Sequence, residues 1–344
     1  MGEAEASERL ARDAAQLLRT RGLLAETERF EYEALTGGVS STLLRLRDTA
    51  SGRSWCAKRP LRRLRVAGDW QVSPERAEAE ARFLTTVGGW FPDAVPELLA
   101  SDTATHLLVM EDLAPPRWRC WKPDLLAGRV DPSLGDRLGA FLGAIQTRAA
   151  AEPELAASFD NGALFHALRV RPFLLATAEA HRDRARRLRT LADDLAAPPP
   201  TLVHGDFSPK NLLVDDDGAF VLLDAECACW GAAHFDAAFL LSHLLLKWAH
   251  QPQAGAALAE FACSFREAWL QARGDAPGSA VDRRCTHLLP GLLLARLDGL
   301  SPVDYLDAER AARVRSFARG QLEVRPDALE QLLARYERAM GDID

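Results

Sequence analysis

The sequence predicts an α+β protein of two unequal lobes, a small one over residues 1–112 and a larger, mostly helical one over 113–344. Two observations carry this. Up to Met110 the segments run strand, strand, strand, helix, strand, strand, the order of a small α+β layer. After "EDLAPP" apolar residues recur at helical spacing through most of the chain, which puts the boundary at about 111–116.

Residues 7–21 read as a helix: Ser7 can cap it, Leu10, Ala14, Leu17 and Leu18 share one face, and Gly22 ends it. In "FEYEALTGGVSSTLLRLRD" extended runs flank a Gly-rich turn, and "TASGR" is a second turn. "SWCAKRP" is a third strand and carries Lys58. Ser73 and Pro74 open a helix through "ERAEAEARFLTTV" that Gly88 and Gly89 should close. "ELLAS" and "HLLVM" add two strands. Beyond the boundary, 133–150, 163–195, 234–250, 255–272 and 305–340 are expected to be helical. The strong strand signals there are "NLLV" and "FVLLD". "HFDAAFLLSHLLLKWAH" is apolar nearly all round and should be a buried helix. The prolines of "AAPPPTL" end the helix before it.

Composition bounds the function. A net charge of -7, with basic residues interleaved with acids, argues against a general nucleic-acid binder. The six cysteines are scattered without a CxxC pair, which suits a reducing cytoplasm. No uninterrupted apolar run reaches about 18 residues and no apolar leader opens the chain, so neither membrane spanning nor secretion is expected.

The chemistry concentrates in "LVHGDFSPKNLLVDDDGAFVLLDAE", Leu202–Glu226. Asp206 and Asn211 stand in H-x-D-x-x-x-x-N, and Asp224 follows the second of two apolar strands joined by the turn "VDDDGAF". Phosphoryl transfer from ATP asks for these groups: one carboxylate accepts a proton from the attacking hydroxyl, while an amide and a second carboxylate hold Mg²⁺.

"HGDFSPKNLLV…LLDAE" resembles the catalytic and metal-binding segments of the aminoglycoside phosphotransferase family, most specifically over 204–236. That family has a two-lobe, protein-kinase-like fold with a five-stranded antiparallel sheet, and it includes choline, methylthioribose, homoserine and fructosamine kinases. The resemblance implies Asp206 as catalytic base, His204 as support for its loop, and Asn211 and Asp224 as Mg²⁺ ligands. Glu226 matches the D-x-E of methylthioribose-kinase-like members and is implied in holding a second metal. Asp236 is similar to the aspartate that braces the catalytic loop in this fold.

The resemblance extends to the small lobe. It implies that Lys58 contacts the α- and β-phosphates of ATP and that Glu80 orients it by an ion pair. Glu78 lies about 200° around the helix from Glu80, so one of the two can face the lysine, and the register favours Glu80. Gly37 and Gly38 of "LTGGVSSTLLRL" would let backbone approach the phosphates, with Ser40 and Ser41 as donors, although the segment departs from G-x-G-x-x-G. Met110 and Glu111 would lie along the adenine at the hinge.

The expected activity is transfer to a hydroxyl of a small molecule, a sugar-like metabolite, amino alcohol or antibiotic. "AKRPLRRLRVAGDW", with Trp70, is similar to the segment after the third strand of methylthioribose kinases. Acidic residues of the second lobe such as Asp131, Asp136, Asp160, Glu179 and Asp183 are mostly accompanied by arginines, which favours a neutral or weakly charged acceptor over a polycation. Trp118 and Trp121 by default pack in the core. Two alternatives stand beside the expected transfer, a catalytically silent nucleotide-binding module and, less favoured, a metal-dependent hydrolase using His204, Asp206 and Asp224, while the short substrate half without an activation segment argues against a protein kinase.

Overall fold

An antiparallel sheet is built from β1 (Phe30–Ala34), β2 (Ser41–Asp48), β3 (Ser54–Pro60), β4 (Leu98–Asp102) and β5 (Leu107–Glu111), with β5 buried along Leu107–Met110 and β1 exposed at the edge. The spatial order is β1-β2-β3-β5-β4, and Lys58 stands opposite Leu43 on one side and Leu108 on the other. The computed structural model describes residues 3–25, 29–35, 40–65, 70–196 and 200–341. These fall into two units, Met1–Arg119 with Leu213–Cys227, and Cys120–Leu212 with Ala228–Asp344.

In the first unit, helix α1 (Glu3–Thr20) buries Leu10, Ala14 and Leu18 against Leu44, Leu46, Trp55 and Val109 of the sheet. The expected stripe on this helix is therefore the packed one. Helix α2 (Arg76–Trp90) starts after Ser73–Pro74 but runs through Gly88 and Gly89. Those glycines do not close it; Phe91 does, its N–H donating to the Val87 carbonyl at 2.7 Å. The strands Leu212–Val214 and Phe220–Leu222, read from "NLLV" and "FVLLD", neighbour each other in a separate small sheet.

The second unit is mostly helical and includes a strand pair, Pro200–Val203 antiparallel to Cys229–Ala232. Its longer helices include α3 (Ser133–Ala150), α4 (His234–His250), α5 (Gly255–Arg273), α6 (Ala280–Asp298), α7 (Ala308–Val324) and α8 (Leu329–Met340). Helix α4 is buried from His234 through Ala249, as its all-round apolar pattern requires. Helices α3 and α5 cross closely because Gly143 faces the backbone of α5: a Cβ there would meet the Trp269 carbonyl oxygen at 2.6 Å. Trp121 is buried and stacks on Phe261 with ring centroids 5.3 Å apart, and Trp118 is buried in the first unit.

Two helical expectations are corrected, and one further helix is added. The span 163–195 is interrupted: ten residues, His166–Leu175, are π-helical around Pro172, and the path breaks again at His181 before Ala185–Asp194. A proline inside a helix removes a donor and crowds the preceding turn, which a wider turn relieves. The span 305–340 is two helices, parted after Val324 where Arg325 turns left-handed at φ 51°. Helix α6 went unread because Pro290 and Gly291 sit inside it. Gly291 is there for space, since a Cβ would meet Leu191 Cδ1 at 2.9 Å and Leu174 Cδ2 at 3.1 Å.

Candidate active site

In the first unit β3 and α2 bring Lys58 and Glu80 together although they stand 22 positions apart in the chain. Lys58 Nζ lies 2.8 Å from Glu80 Oε1 and 2.7 Å from Oε2, and it also binds Asp224 Oδ1. Both ends of the pair are buried. Burial alone would push Lys58 down, but the carboxylates of Asp224, Glu80 and Glu226 outweigh it and hold the ammonium above the ordinary lysine range. Burial pushes Glu80 up although Lys58 pulls against it, and the Asp224 charge adds to the rise. Glu78 faces elsewhere, 2.8 Å from His106 Nδ1, so the helix register puts Glu80 at the lysine.

Asp224 has a left-handed backbone at φ 66°. A side chain other than glycine holds that conformation at a cost of order 1–3 kcal/mol, a cost that concentrates at functional positions. Two residues on, Glu226 Oε2 accepts from Arg76 Nε at 3.0 Å. Arg76 is fully buried, and its guanidinium also donates to the carbonyls of Ser40 and Leu61, both at 2.6 Å, and of Ser73 at 2.9 Å. It ties the start of β2, the end of β3 and the lead-in to α2 to the D-x-E segment.

In the second unit the loop 204–211 is held from several sides. The backbone N–H groups of His204 and Gly205 donate to the Asp236 carboxylate at 2.7 and 2.9 Å, the bracing expected of that residue. His204 Nδ1 accepts from the Asp206 N–H at 3.1 Å. Asn211 Nδ2 donates to the Asp206 carbonyl at 3.0 Å. Asp206 Oδ2 is flanked by two cations, Arg169 Nη2 at 3.0 Å and Lys210 Nζ at 2.8 Å. Arg169, on the π-helical segment, also donates through Nε to the Gly205 carbonyl and so grips both the loop backbone and its carboxylate.

Among the other expected residues, Ser40 contributes its carbonyl to Arg76, and Ser41 Oγ is buried with no hydrogen-bond partner. Met110 is buried and Glu111 exposed at the end of β5. Gly37 and Gly38 lie outside the described residues. Trp70 is half-buried, and its carbonyl accepts from the Leu64 N–H at 3.0 Å.

Among the described residues no group of three or more His, Cys, Asp and Glu is arranged to hold a metal ion. Magnesium does not ask for such a cage: it takes one or two protein oxygens and fills its shell with phosphates and water. The Asp224 carboxylate, with its side chain 21% exposed, is a donor of that kind. Cys227 and Cys229 are buried, and burial pushes the Cys229 thiol up, against a thiolate site.

The model of the phosphotransferase enzyme family matches residues 31–284, which takes in the lysine, the glutamate, the loop and the D-x-E segment. This chain belongs to that family. As a family member it is 27% identical over 260 residues to a methylthioribose kinase of Bacillus velezensis, covering 68% of this chain and 65% of that protein. A methylthioribose kinase of Yersinia enterocolitica is 26% identical over 269 residues, covering 70% and 67%. The match thus spans about two thirds of these relatives' length. A macrolide 2'-phosphotransferase from Brachybacterium faecium superposes with a TM-score of 0.51 at 18% identity, over 96% of this chain and 99% of that one. An ethanolamine kinase of Plasmodium vivax gives 0.50 at 11% identity, over 86% and 84%. These likenesses show the fold: the α+β, protein-kinase-like fold that the sequence predicts for the family.

Arg76 and Arg169 were absent from the expected site of this phosphotransferase-family chain. Their partners lie 150 and 36 residues away, and a lone arginine in an arginine-rich chain has no periodicity to mark it. Among the described residues no helix is long and apolar enough to cross a membrane.

Proposed function

We propose that this chain transfers the γ-phosphoryl group of ATP to a hydroxyl of a small molecule. The observation that carries the reading is the buried Lys58–Glu80 pair with Asp224 on the same ammonium. A lysine so held is a fixed point charge at one height above the sheet, as clamping the α- and β-phosphates requires. The first unit would bind the nucleotide, with Ser40 and Ser41 at the start of β2 toward the phosphates and Met110 and Glu111 along the base. The second unit would bind the acceptor.

Asp206 would accept the proton of the attacking hydroxyl. His204, Asn211, Asp236 and Arg169 hold its backbone and carboxylate in place through the contacts above. Bound Mg²⁺ would neutralise charge on the phosphates, with Asp224 and Asn211 as its protein donors. Glu226, expected with them, has one oxygen on Arg76, and we assign it to orienting the segment. Similarity to methylthioribose kinases makes sugar-like alcohols the first acceptors to try. All six cysteines are free thiols, which suits a cytoplasmic enzyme.

The test is ATP consumption by the purified chain against a panel of hydroxylated metabolites and antibiotics, with product read by mass. Asp206→Asn should lower turnover by about 10² to 10⁴ and leave nucleotide affinity within a few-fold. A variant retaining more than about a tenth of wild-type turnover removes Asp206 as base.

A further inference from the structure

The second unit contains a cavity of about 210 Å³ whose walls include Lys122, Lys210, Lys247, Arg296, Asp304 and Tyr305. Four of these six are cations and one is a carboxylate. Lys247 projects from the buried helix α4 and is 1% exposed. Its Nζ is 3.3 Å from the Tyr305 hydroxyl and 4.9 Å from that ring's centre, and Lys122 Nζ lies 5.9 Å from the same centre. Arg296 donates through Nη1 to Ser301 Oγ at 2.9 Å, while its Nε is buried with no hydrogen-bond partner. Lys210 joins this wall to the proposed base, 2.8 Å from Asp206 Oδ2.

Lys247 is buried, Lys122 and Arg296 are half-buried and Lys210 is exposed, and holding a buried ammonium beside other cations is costly unless opposite charge meets them. Burial pushes Lys247 down to about 7, and the charges of Lys122 and Arg296 add to the effect. A polycation or a quaternary ammonium would meet like charge here, whereas a carboxylate or phosphate would find ammonium and guanidinium donors in the wall of a small chamber.

We propose that this cavity takes the anionic group, a carboxylate or phosphate, of the hydroxylated acceptor, beside Lys210 and Asp206. The inference rests on the proposed phosphoryl transfer, since it takes the occupant to be the acceptor, and it narrows the neutral or weakly charged acceptor favoured by the sequence to an anionic one. The phosphates of the nucleotide are the other source of the same chemistry.

Calorimetric titration of the full chain with matched six-carbon polyols tests it: gluconate and glucose 6-phosphate as anions, glucose as the neutral compound, glucosamine as the cation. The expected result is anion binding at least tenfold tighter than that of glucose or glucosamine. Lys247→Met and Lys122→Glu should each weaken anion binding at least tenfold, with thermal unfolding reporting that each variant is folded. Saturating Mg-ATP should leave anion affinity within about twofold. No anion preference, an anion affinity unchanged in both variants, or competition by ATP would overturn the proposal. ATP consumption with the same four compounds keeps the two readings apart. Transfer to glucose or glucosamine with no anion binding sinks the anion site alone. Anion binding without turnover of any compound leaves the site standing and counts against phosphoryl transfer.

Discussion

At the scale of the residue, the chemistry of the first unit turns on how three carboxylates share one buried lysine. Glu80 and Asp224 both contact Lys58 Nζ, and Glu226 is near enough to add to the field. Removing the cation leaves buried carboxylates facing one another, so Lys58→Ala should lower kcat/KM for ATP by about 10² to 10³, the loss typical of a fixed charge aimed at transferring phosphate. Glu80→Ala should give a smaller loss, because Asp224 still holds the ammonium. Glu78→Ala should leave kinetics unchanged, since Glu78 bonds to His106 instead. Steady-state kinetics on the three variants checks the order, and a larger loss in Glu78→Ala than in Glu80→Ala would reverse it. Asp224→Ala should abolish the Mg²⁺-dependent part of nucleotide binding, read by calorimetry with and without the ion. Unchanged Mg-ATP affinity would remove Asp224 from the metal.

At the scale of the element, Arg76 decides how the edges of the first unit meet. One guanidinium satisfies carbonyls from the residue before β2, from the residue after β3 and from the turn before α2, and neutralises Glu226. Breaking a buried pair by removing one partner leaves the other charge unpaired, at a cost of about 3–5 kcal/mol. Arg76→Met should therefore lower unfolding stability by about that amount. The double variant Arg76→Met/Glu226→Leu should recover part of it. Chemical denaturation of the single and double variants measures the coupling, and equal stabilities would show that Glu226 is not Arg76's main partner. The glycine contacts of α3 against α5 act at the same scale: helix axes approach closely only where side chains leave room.

At the scale of the whole molecule, buried charge should leave a signature in stability against pH. Lys247 has an ordinary value near 10.5 and is held near 7 in the fold, chiefly by burial and then by Lys122 and Arg296. Between these values the unfolded chain binds the extra proton, so this group makes stability rise as pH goes from about 7 to about 10 and leaves it flat below. Thermal unfolding at fixed ionic strength should rise over that window, and Lys247→Met should remove the slope. An unchanged slope in the variant would place the titration elsewhere.

Much of the architecture was legible before any coordinates, for reasons that differ by element. Helix α3 carries a helical period that announces its buried face, the strands are short apolar runs between turns, and α4 is apolar on every side, which announces a helix buried all round. Local spacing likewise marked H-x-D-x-x-x-x-N and D-x-E, because loop geometry and metal chemistry tie those residue types to short intervals. Helix α6 and the π-helical stretch were not legible, since Pro172, Pro290 and Gly291 are read as breakers unless the packing around them is known.

By itself, then, the sequence determined the α+β class, the order of strands and the family, all of which rest on patterns within a few turns or a single loop. Only the tertiary structure decided that Asp224 shares Lys58 with Glu80, that Arg76 anchors Glu226, that Arg169 flanks Asp206, and that cations crowd one cavity. The physical reason is common to all four. Each depends on which buried charges share a small volume, and charge pairing across tens of residues leaves no period in the chain.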